Sequence, residues 1–256
     1  MNKSNIVIIG GSDWLGKSLA HYFAPHAECM VLLARTEEKL RQVQLNVQSY
    51  CQTYIVVCDL AEMNQVQLAV KEIQLYLNSV DLILNVAGGS YVGTTYDCQT
   101  EDFFFMIDAY VKGQAFLIKS LIPLIRRSKK TVLVNFLADW VNRKSGMEAG
   151  NALYTMTKAA MEAFANSLAS EEHMNGLQVS NLYLGQIAES ENENTIIKDA
   201  KGNLDMLLMS DICEFVLNFM HLSSLHVFEA TLVTKSPSYA RTRLHTNTVN
   251  WDIGGQ

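Results

Sequence analysis

The residues best suited to chemistry are a tyrosine and a lysine four positions apart in the stretch 151–176. If this stretch is helical, Tyr154 and Lys158 lie on one side of it, one turn from each other. A phenol normally loses its proton near pH ~10, and a neighbouring ammonium group favours the phenolate. Such a pair could give or take a proton near neutral pH. The alternative is an ordinary surface pair, because short patterns of this kind recur by chance.

The stretch 151–176 is predicted to be helical because Ala, Met, Leu, Glu and Lys dominate it. Asn151 is the predicted N-cap, and Gly176 is the predicted stop. Five apolar residues recur at the spacing of one buried helix face, namely Leu153, Met156, Ala160, Phe164 and Leu168.

The N-terminal residues predict a nucleotide-binding turn. Residues 5–9 are an apolar run of strand length, residues 10–13 (Gly-Gly-Ser-Asp) form a turn, and a helix pattern opens near Leu15. A buried strand, a glycine turn and a helix are the first unit of a dinucleotide-binding fold, in which the helix N-terminus faces the pyrophosphate. Gly10 permits the tight turn, and Gly16 permits close approach of the helix. Purely structural βα turns share this pattern.

The end of the second predicted strand, residues 28–34, bears on the choice of cofactor. An acidic residue at this position would bind a free ribose hydroxyl, whereas the chain has Ala34 and then Arg35, which suits a 2′-phosphate. The alternative for Arg35 is a solvated side chain at the start of a helix. Asp13, near the phosphate turn, argues against a phosphorylated cofactor. On balance the sequence favours NADP(H) over NAD(H).

Strand-like and helix-like segments alternate along the chain. Further strands are predicted at 54–57, 81–84, 131–135, 179–184 and 229–233, and further helices at 37–46, 62–77, 100–127 and 211–222. This alternation predicts an α/β fold, a Rossmann-type three-layer sandwich with a doubly wound parallel sheet of about seven strands. Ligands of such sheets bind at the carboxyl ends of the strands, where Gly10, Arg35, Asp59 and Ala87 fall.

Three segments outside this alternation are candidates for specificity. Residues 136–150 are predicted to form an irregular substrate loop, residues 190–209 a flap, and residues 236–256 a C-terminal extension of the single domain 1–256. The apolar side chains in the loop and flap indicate a small, partly apolar substrate, although such residues also serve as loop anchors.

Composition and charge narrow the possible classes of protein. With 256 residues, 49% of them hydrophobic, the chain suits one large domain, although two small domains would also fit. The net charge is -6 and no block of Lys or Arg occurs, so neither nucleic acid nor an anionic membrane is an expected partner. The five cysteines are scattered, which predicts reduced thiols, and none has a metal-site spacing, so no metal is expected. The sequence shows no secretory signal, and a cytoplasmic location is therefore expected.

Taken together, these motifs resemble the short-chain dehydrogenase/reductase family over essentially the whole chain. The resemblance rests on the 9–16 turn, Asp59, the Asn-Val-Ala-Gly run at 85–88, Gly113 and the Tyr154/Lys158 pair. It implies hydride transfer between a nicotinamide and a carbonyl or alcohol, with Tyr154 exchanging the proton and Lys158 holding the nicotinamide ribose.

The resemblance also implies a set of contacts and an assembly. Homodimers or homotetramers are common in the family, and the helices predicted at 100–127 and 151–176 could pair across a symmetry axis. The expected partner is a small-molecule substrate. The residues expected to bind the cofactor are Gly10, Ser12, Asp13, Trp14, Leu15, Gly16, Arg35, Asp59, Leu60, Asn85, Ala87, Gly88, Tyr154, Lys158, Gly185 and Ile187.

Several positions depart from the family pattern. Trp14 replaces the middle glycine of the turn, and Val86 replaces the second Asn of the Asn-Asn-Ala-Gly signature. Tyr110 aligns with an asparagine that in the family usually holds a proton-relay water from the long helix. Ala138, sixteen residues before Tyr154, takes the place of the serine that orients the substrate carbonyl. Three functions therefore stay open: an NAD(P)-dependent oxidoreductase, an enzyme of non-redox proton chemistry such as elimination, isomerisation or ring closure, and a catalytically silent dinucleotide-binding protein.

Overall fold

A computed structural model describes residues 3–89, 93–141, 152–188, 206–220 and 226–234. Within these residues, seven strands form one parallel sheet in the order β3-β2-β1-β4-β5-β6-β7. The strands are β1 (Ser4–Ile9), β2 (Ala27–Ala34), β3 (Gln52–Val57), β4 (Leu82–Asn85), β5 (Thr131–Ala138), β6 (Leu177–Leu184) and β7 (Glu229–Leu232). The strand order reverses between β1 and β4, which is where ligands of open α/β sheets bind.

Helices cover both faces of the sheet. They are α1 (Trp14–Phe23), α2 (Glu37–Val47), α3 (Met63–Tyr76), α4 (Thr100–Ile107), α5 (Gln114–Ser120), α6 (Ile122–Ile125), α7 (Ala152–Glu172) and α8 (Met209–Met220). Because successive strand residues point to opposite faces, β1 supplies Val7 and Ile9 to a core with α3, α5 and α7, and Ile6 and Ile8 to a second core with α1, α2 and α8. The prediction of a three-layer α/β sandwich is confirmed.

The prediction of one helix over residues 100–127 is wrong. α4 passes into a π-helical turn, Asp108–Gly113, before α5 begins. α5 then ends at Ser120, and Pro123 lies in the first turn of α6, where its missing N–H leaves no helical bond unmade.

The prediction that an irregular loop begins at Phe136 is also wrong. β5 continues to Ala138 because β6 pairs with it along its whole length, ending with Ala138 opposite Leu184. Residues 142–150 of the predicted loop, 190–205 of the flap and 236–256 of the C-terminal extension lie outside the described residues. In the described end of the flap, Leu207 pairs with Ile187 and α8 begins at Met209.

The predicted buried face of α7 is only partly correct. Leu153 and Leu168 are buried, but Met156 is 41% exposed. The buried face instead includes Lys158 and Met161, because α7 turns its polar pair toward the sheet. The predicted stop, Gly176, is confirmed by its left-handed backbone with φ +87°; the predicted cap, Asn151, lies outside the described residues.

The π-helical turn gives a test of the fold. Gly113 packs so closely that an added Cβ would overlap the carbonyl oxygen of Leu60. Glycine-to-alanine changes normally stabilise a helix, yet we expect Gly113→Ala to lower the free energy of unfolding by about 1–3 kcal/mol, because neither backbone can yield freely. Urea unfolding of the purified chain measures this.

The matched control for that change is Gly185→Ala. An added Cβ there would lie 3.4 Å from the Leu232 carbonyl oxygen, an ordinary contact. We expect a change within about 0.5 kcal/mol. Equal effects of the two substitutions would contradict the close approach at Gly113.

Candidate functional site

A cavity of about 330 Å³ lies at the carboxyl ends of β1 to β4, on the switch point of the sheet. Ten of the residues expected to bind a cofactor line it, namely Gly10, Ser12, Asp13, Trp14, Leu15, Arg35, Asp59, Leu60, Ala87 and Gly88. The six others are not among the residues that line it: Gly16, Asn85, Tyr154, Lys158, Gly185 and Ile187. The predicted glycine turn and strand ends therefore meet at one cavity.

The glycine turn brings three pieces of backbone together at the cavity floor. Gly10 has φ +92°, and an added Cβ would lie 2.8 Å from the backbone nitrogen of Ala87 at the end of β4. A Cβ on Gly16 would overlap the Gly10 carbonyl oxygen. Both positions therefore require glycine, and the resulting cradle leaves room for a phosphate group against the N-terminus of α1.

Trp14 takes the backbone conformation of the glycine that it replaces. Its φ is +44°, and it is the one non-glycine residue with a positive φ in the part of the chain that the structure describes. A bulky side chain in this region is strained, by about 1–3 kcal/mol. The residue lines the cavity and is 48% exposed, so its ring is not buried there.

Arg35 follows β2 and forms one wall of the cavity with two aromatic rings. Its guanidinium carbon lies 5.3 Å from the centre of the Phe105 ring, and Phe105 meets the Tyr110 ring edge-on at 5.7 Å. Burial raises the pKa of Tyr110, and the nearby charges of Arg35 and Asp59 act in opposite directions. Asp59 fixes the turn after β3 by accepting a 3.0 Å hydrogen bond from the Ala61 N–H.

Lys158 is buried and joins α7 to two strands. Its Nζ donates a 3.0 Å hydrogen bond to the Phe136 carbonyl of β5 and lies so near Gly88 that an added Cβ there would be 2.7 Å from it. Because Gly88 also lines the cavity, Lys158 is directly behind the cavity wall. Burial lowers the pKa of Lys158 to about 8.

Tyr154 lies one turn before Lys158, with the Lys158 Nζ 5.7 Å from the centre of its ring. The expectation that the ammonium brings its pKa toward neutrality is wrong, since burial raises the pKa to about 12. The ammonium is bonded to the Phe136 carbonyl and does not compensate for the lost hydration of a phenolate. At neutral pH Tyr154 is therefore a protonated phenol.

Two residues at and just after the end of β5 bear on the chemistry expected at Tyr154. Ala138, the last residue of β5, is buried and offers only a methyl group. Trp140 packs against Tyr154 with ring centres 5.9 Å apart, and its buried Nε1 has no hydrogen-bond partner. The positioning role of Trp140 was not foreseen, because only the structure shows which ring of the loop reaches the tyrosine.

A chain of buried amides runs across the sheet beneath the site. Asn85 of β4 donates to Asn135 of β5 (2.9 Å), Asn135 to Asn181 of β6 (3.2 Å), and Asn181 to Asn166 of α7 (2.7 Å). Gln114 accepts from Asn85 and donates 2.9 Å to the Ala87 carbonyl at the cavity wall. The sequence analysis did not predict this network. Its signal in the sequence is an amide side chain at a matching position of each apolar strand.

Two further observations concern metal binding and membrane insertion. No group of three or more His, Cys, Asp or Glu side chains that could hold a metal ion occurs among the described residues. In the same part of the chain, every helix is too short or too polar to cross a bilayer.

A parallel sheet with a glycine turn at its switch point defines a dinucleotide-binding α/β protein. A family model described as short chain dehydrogenase matches residues 4–201. The chain therefore belongs to the short-chain dehydrogenase family.

Two relatives illustrate the range of similarity. An uncharacterised oxidoreductase from Staphylococcus epidermidis is 25% identical over 199 residues, covering 76% of this chain and 83% of that protein. A Xenopus laevis protein named dehydrogenase/reductase SDR family member 7B is 28% identical over 204 residues, covering 77% of this chain and 62% of that protein.

Solved structures share the fold. An alcohol dehydrogenase from Thermococcus sibiricus, complexed with 5-hydroxy-NADP, superposes with a TM-score of 0.78 at 19% identity, over 91% of this chain and 97% of that one. L-sorbose reductase from Gluconobacter frateurii, complexed with NADPH and L-sorbose, gives a TM-score of 0.77 at 18% identity, over 91% and 96%. At these identities the likeness shows the fold alone.

Burying Lys158 predicts a measurable effect on stability. Its folded pKa, about 8, lies below the ordinary 10.5, so the unfolded chain binds more protons between these values and wild-type stability rises with pH across that window. We expect Lys158→Met to raise the free energy of unfolding at neutral pH by about 1–2 kcal/mol, after allowing for the unpaired Phe136 carbonyl. That advantage should shrink as pH rises from 8 to 10.5.

Lys71→Met, on the exposed face of α3, is the control. Urea unfolding at several pH values compares both variants with the wild type. A pH-independent difference at Lys158, matching that at Lys71, would contradict a buried lysine with a lowered pKa.

Proposed function

We propose that the protein is an NADP(H)-dependent oxidoreductase that interconverts a carbonyl and an alcohol of a small, partly apolar substrate. The observation that carries the proposal is the position of Lys158, which contacts the wall of the dinucleotide cavity at Gly88 and places Tyr154 beside it. A proton-transfer pair thus lies next to a cradle built for a dinucleotide. Oxidoreductase names among the relatives support the same activity.

The residues present fit a nicotinamide dinucleotide. Gly10 and Gly16 make room for phosphate where a Cβ would clash, and the N-terminus of α1 attracts the anion. When bound, the nicotinamide supplies or accepts the hydride at the substrate carbon. Ser12, Asp59 and Leu60 line the cavity and would hold the adenosine part of the cofactor. Asn85, at the end of β4, donates a hydrogen bond to Asn135 of β5.

In the reductive direction, Tyr154 gives the proton. Its pKa of about 12 keeps it protonated, so the O–H is available to the alkoxide oxygen that forms on the substrate. Lys158 has three N–H donors, of which the Phe136 carbonyl takes one, so the others can hold ribose hydroxyls. Its positive charge stabilises the phenolate left after proton transfer. The oxidative direction needs the phenolate, which a pKa of about 12 makes scarce at neutral pH.

Arg35 supports a preference for the 2′-phosphorylated cofactor. It follows Ala34, where an acidic residue would bind a free ribose hydroxyl, and it lines the cavity with Lys39.

A homodimer or homotetramer remains our expectation. Phe103 and Phe104 on α4 and Met156 on α7 are large apolar side chains with exposures of 41%, 58% and 41%. They belong to the two helices that the sequence singled out for pairing, and burying them between subunits would be favourable. A cytoplasmic location likewise remains an expectation, with five cysteines that form no disulfide.

Removing the Tyr154 hydroxyl tests the main proposal. We expect Tyr154→Phe to lower kcat for NADPH-dependent reduction of a carbonyl panel by about 10²–10⁴-fold, because the general acid is lost while the ring still packs on Trp140. The absorbance of reduced nicotinamide measures the rate. Tyr50→Phe, at an exposed position, is the control. Activity that survives at Tyr154→Phe would refute this tyrosine as the proton donor.

Ala138 favours a second candidate, non-redox proton chemistry at Tyr154. A methyl group at the end of β5 cannot donate a hydrogen bond to a developing oxyanion, and loss of one such donor typically costs about 3 kcal/mol. An enzyme that only moves protons has less need of that donor. Product formation without any change in nicotinamide absorbance would favour this candidate.

Restoring the donor separates the two candidates. If the reaction is carbonyl reduction, we expect Ala138→Ser to raise kcat by about ten- to a hundredfold with little change in KM, because the new hydroxyl acts mainly in the transition state. Steady-state kinetics with NADPH measure it, and the doubly changed Ala138→Ser, Tyr154→Phe chain checks that any gain still needs Tyr154. An unchanged kcat would mean that the carbonyl oxygen does not lie at residue 138.

A further inference from the structure

The indole N–H of Trp140 is a buried hydrogen-bond donor that the described part of the chain leaves unused. Its Nε1 is shielded from solvent and has no partner among those residues. A tryptophan nitrogen only donates, so nothing but an acceptor atom can satisfy it. Native proteins rarely bury a donor without a partner, because an unpaired donor costs free energy. The Trp140 N–H is therefore available to an acceptor that a ligand brings.

Backbone hydrogen bonds on both sides fix the position of Trp140 after β5. The Asp139 N–H donates 2.9 Å to the Leu184 carbonyl of β6. The Val141 N–H donates 3.0 Å to the Ala138 carbonyl, which closes a turn around the tryptophan. Because these bonds belong to the backbone, the indole is held in place before any ligand arrives.

The indole lies beside the tyrosine that is the proposed proton donor. The ring centres of Trp140 and Tyr154 are 5.9 Å apart, and the ring planes are inclined by 58°. A substrate oxygen that takes the Tyr154 proton must lie at the hydroxyl edge of this ring. Ala138, two residues before Trp140, offers that oxygen only a methyl group. The N–H of Trp140 is thus next to a site that lacks a second donor.

Other polar side chains near Tyr154 are already engaged. Asn135 of β5 is 1% exposed, and its amide is bonded to Asn85 on one side and Asn181 on the other. The Thr157 hydroxyl donates 2.8 Å to the backbone carbonyl of Tyr154 itself. Each of these groups would lose an existing bond on turning to a substrate, whereas the Trp140 N–H would lose none.

We propose that the Trp140 indole N–H donates a hydrogen bond to the substrate carbonyl oxygen and stabilises the negative charge that develops on it. This inference rests on the proposed function and names the donor that Ala138 cannot supply. In reduction, the carbonyl carbon receives the hydride, the electron pair of the C=O bond moves to the oxygen, and the oxygen takes the Tyr154 proton. Trp140 keeps its own proton throughout and acts by hydrogen bonding alone.

Trp140→Phe removes the N–H and keeps an aromatic ring against Tyr154. We expect kcat for NADPH-dependent reduction of the carbonyl panel to fall by about a hundredfold with little change in KM, because the donor acts mainly in the transition state. Trp140→Leu, which removes the ring as well, is the control for packing. A packing role would predict an active Phe variant and an inactive Leu variant.

Ala138→Ser should compensate for Trp140→Phe. The serine hydroxyl would donate to the same oxygen, so the doubly changed chain should regain most of the lost kcat. The gain should be a larger factor than Ala138→Ser gives in the wild type, because two groups that serve one oxygen are not independent. A Tyr154 ring displaced by lost packing would not be rescued in this way.

The hydrogen bond itself can be observed by NMR of the chain labelled with 15N-tryptophan. The sequence has three tryptophans, and the indole signal that is absent from Trp140→Phe belongs to Trp140. NADPH and the carbonyl compound that the wild type reduces fastest are added to the Tyr154→Phe chain, which turns it over slowly. We expect the Trp140 signal to move downfield when the carbonyl compound is added to the NADPH complex.

Three results would overturn the inference and leave the proposed function intact. They are an unchanged kcat in Trp140→Phe, an equal gain from Ala138→Ser in both backgrounds, and an indole signal that the carbonyl compound does not move. A wild type that reduces no carbonyl would instead remove the proposed function, and this inference with it.

Discussion

The site depends on one buried contact, the hydrogen bond from the Lys158 ammonium to the Phe136 carbonyl. An ammonium group without solvent is costly, and it persists only where a donor–acceptor pair and close packing hold it. The contact fixes α7 against β5, sets Lys158 against Gly88, and so places Tyr154 beside the cavity. A lysine that merely stabilised the fold would be better replaced by an apolar residue, so its burial indicates function.

The amide network explains how a sheet with an apolar interior keeps this contact in register. Asn135 lies one residue before Phe136, and its side chain bonds to Asn85 on one side and Asn181 on the other. Asn181 continues to Asn166, on the helix that carries Lys158. The bonds restrict sliding of the strands, since a satisfied buried amide loses a partner in any other register. Within the described residues, Asn85 Oδ1 is the one amide oxygen of this network that has no hydrogen-bond partner, and it lies on the strand that ends at the cavity wall.

The sequence predicted the sheet, its seven strands and the cavity because those depend on local signals, namely apolar runs and a glycine turn. The sequence did not predict the features that depend on contacts between distant parts of the chain. β5 extends through Ala138 because β6 pairs with it, and the helix over 100–127 breaks at a π-helical turn that no periodicity indicates. The Tyr154 pKa was misjudged for the same reason: the spacing to Lys158 is local, whereas the burial that raises that pKa is tertiary.

The departures from the family pattern share one physical character, since each leaves the backbone in place and changes only what the side chain offers. Trp14 keeps the positive φ of a glycine, and Ala138 keeps its strand position. Tyr110 remains at the cavity wall but fills it with an aromatic ring next to Gly89. The glycine turn and the cavity of a dinucleotide-binding fold are therefore present, while the side chains at residues 14, 110 and 138 differ from the family pattern. That combination is expected if cofactor binding and proton transfer by Tyr154 were kept. The hydrogen bond to the developing oxyanion would then be either dispensable or donated by another residue.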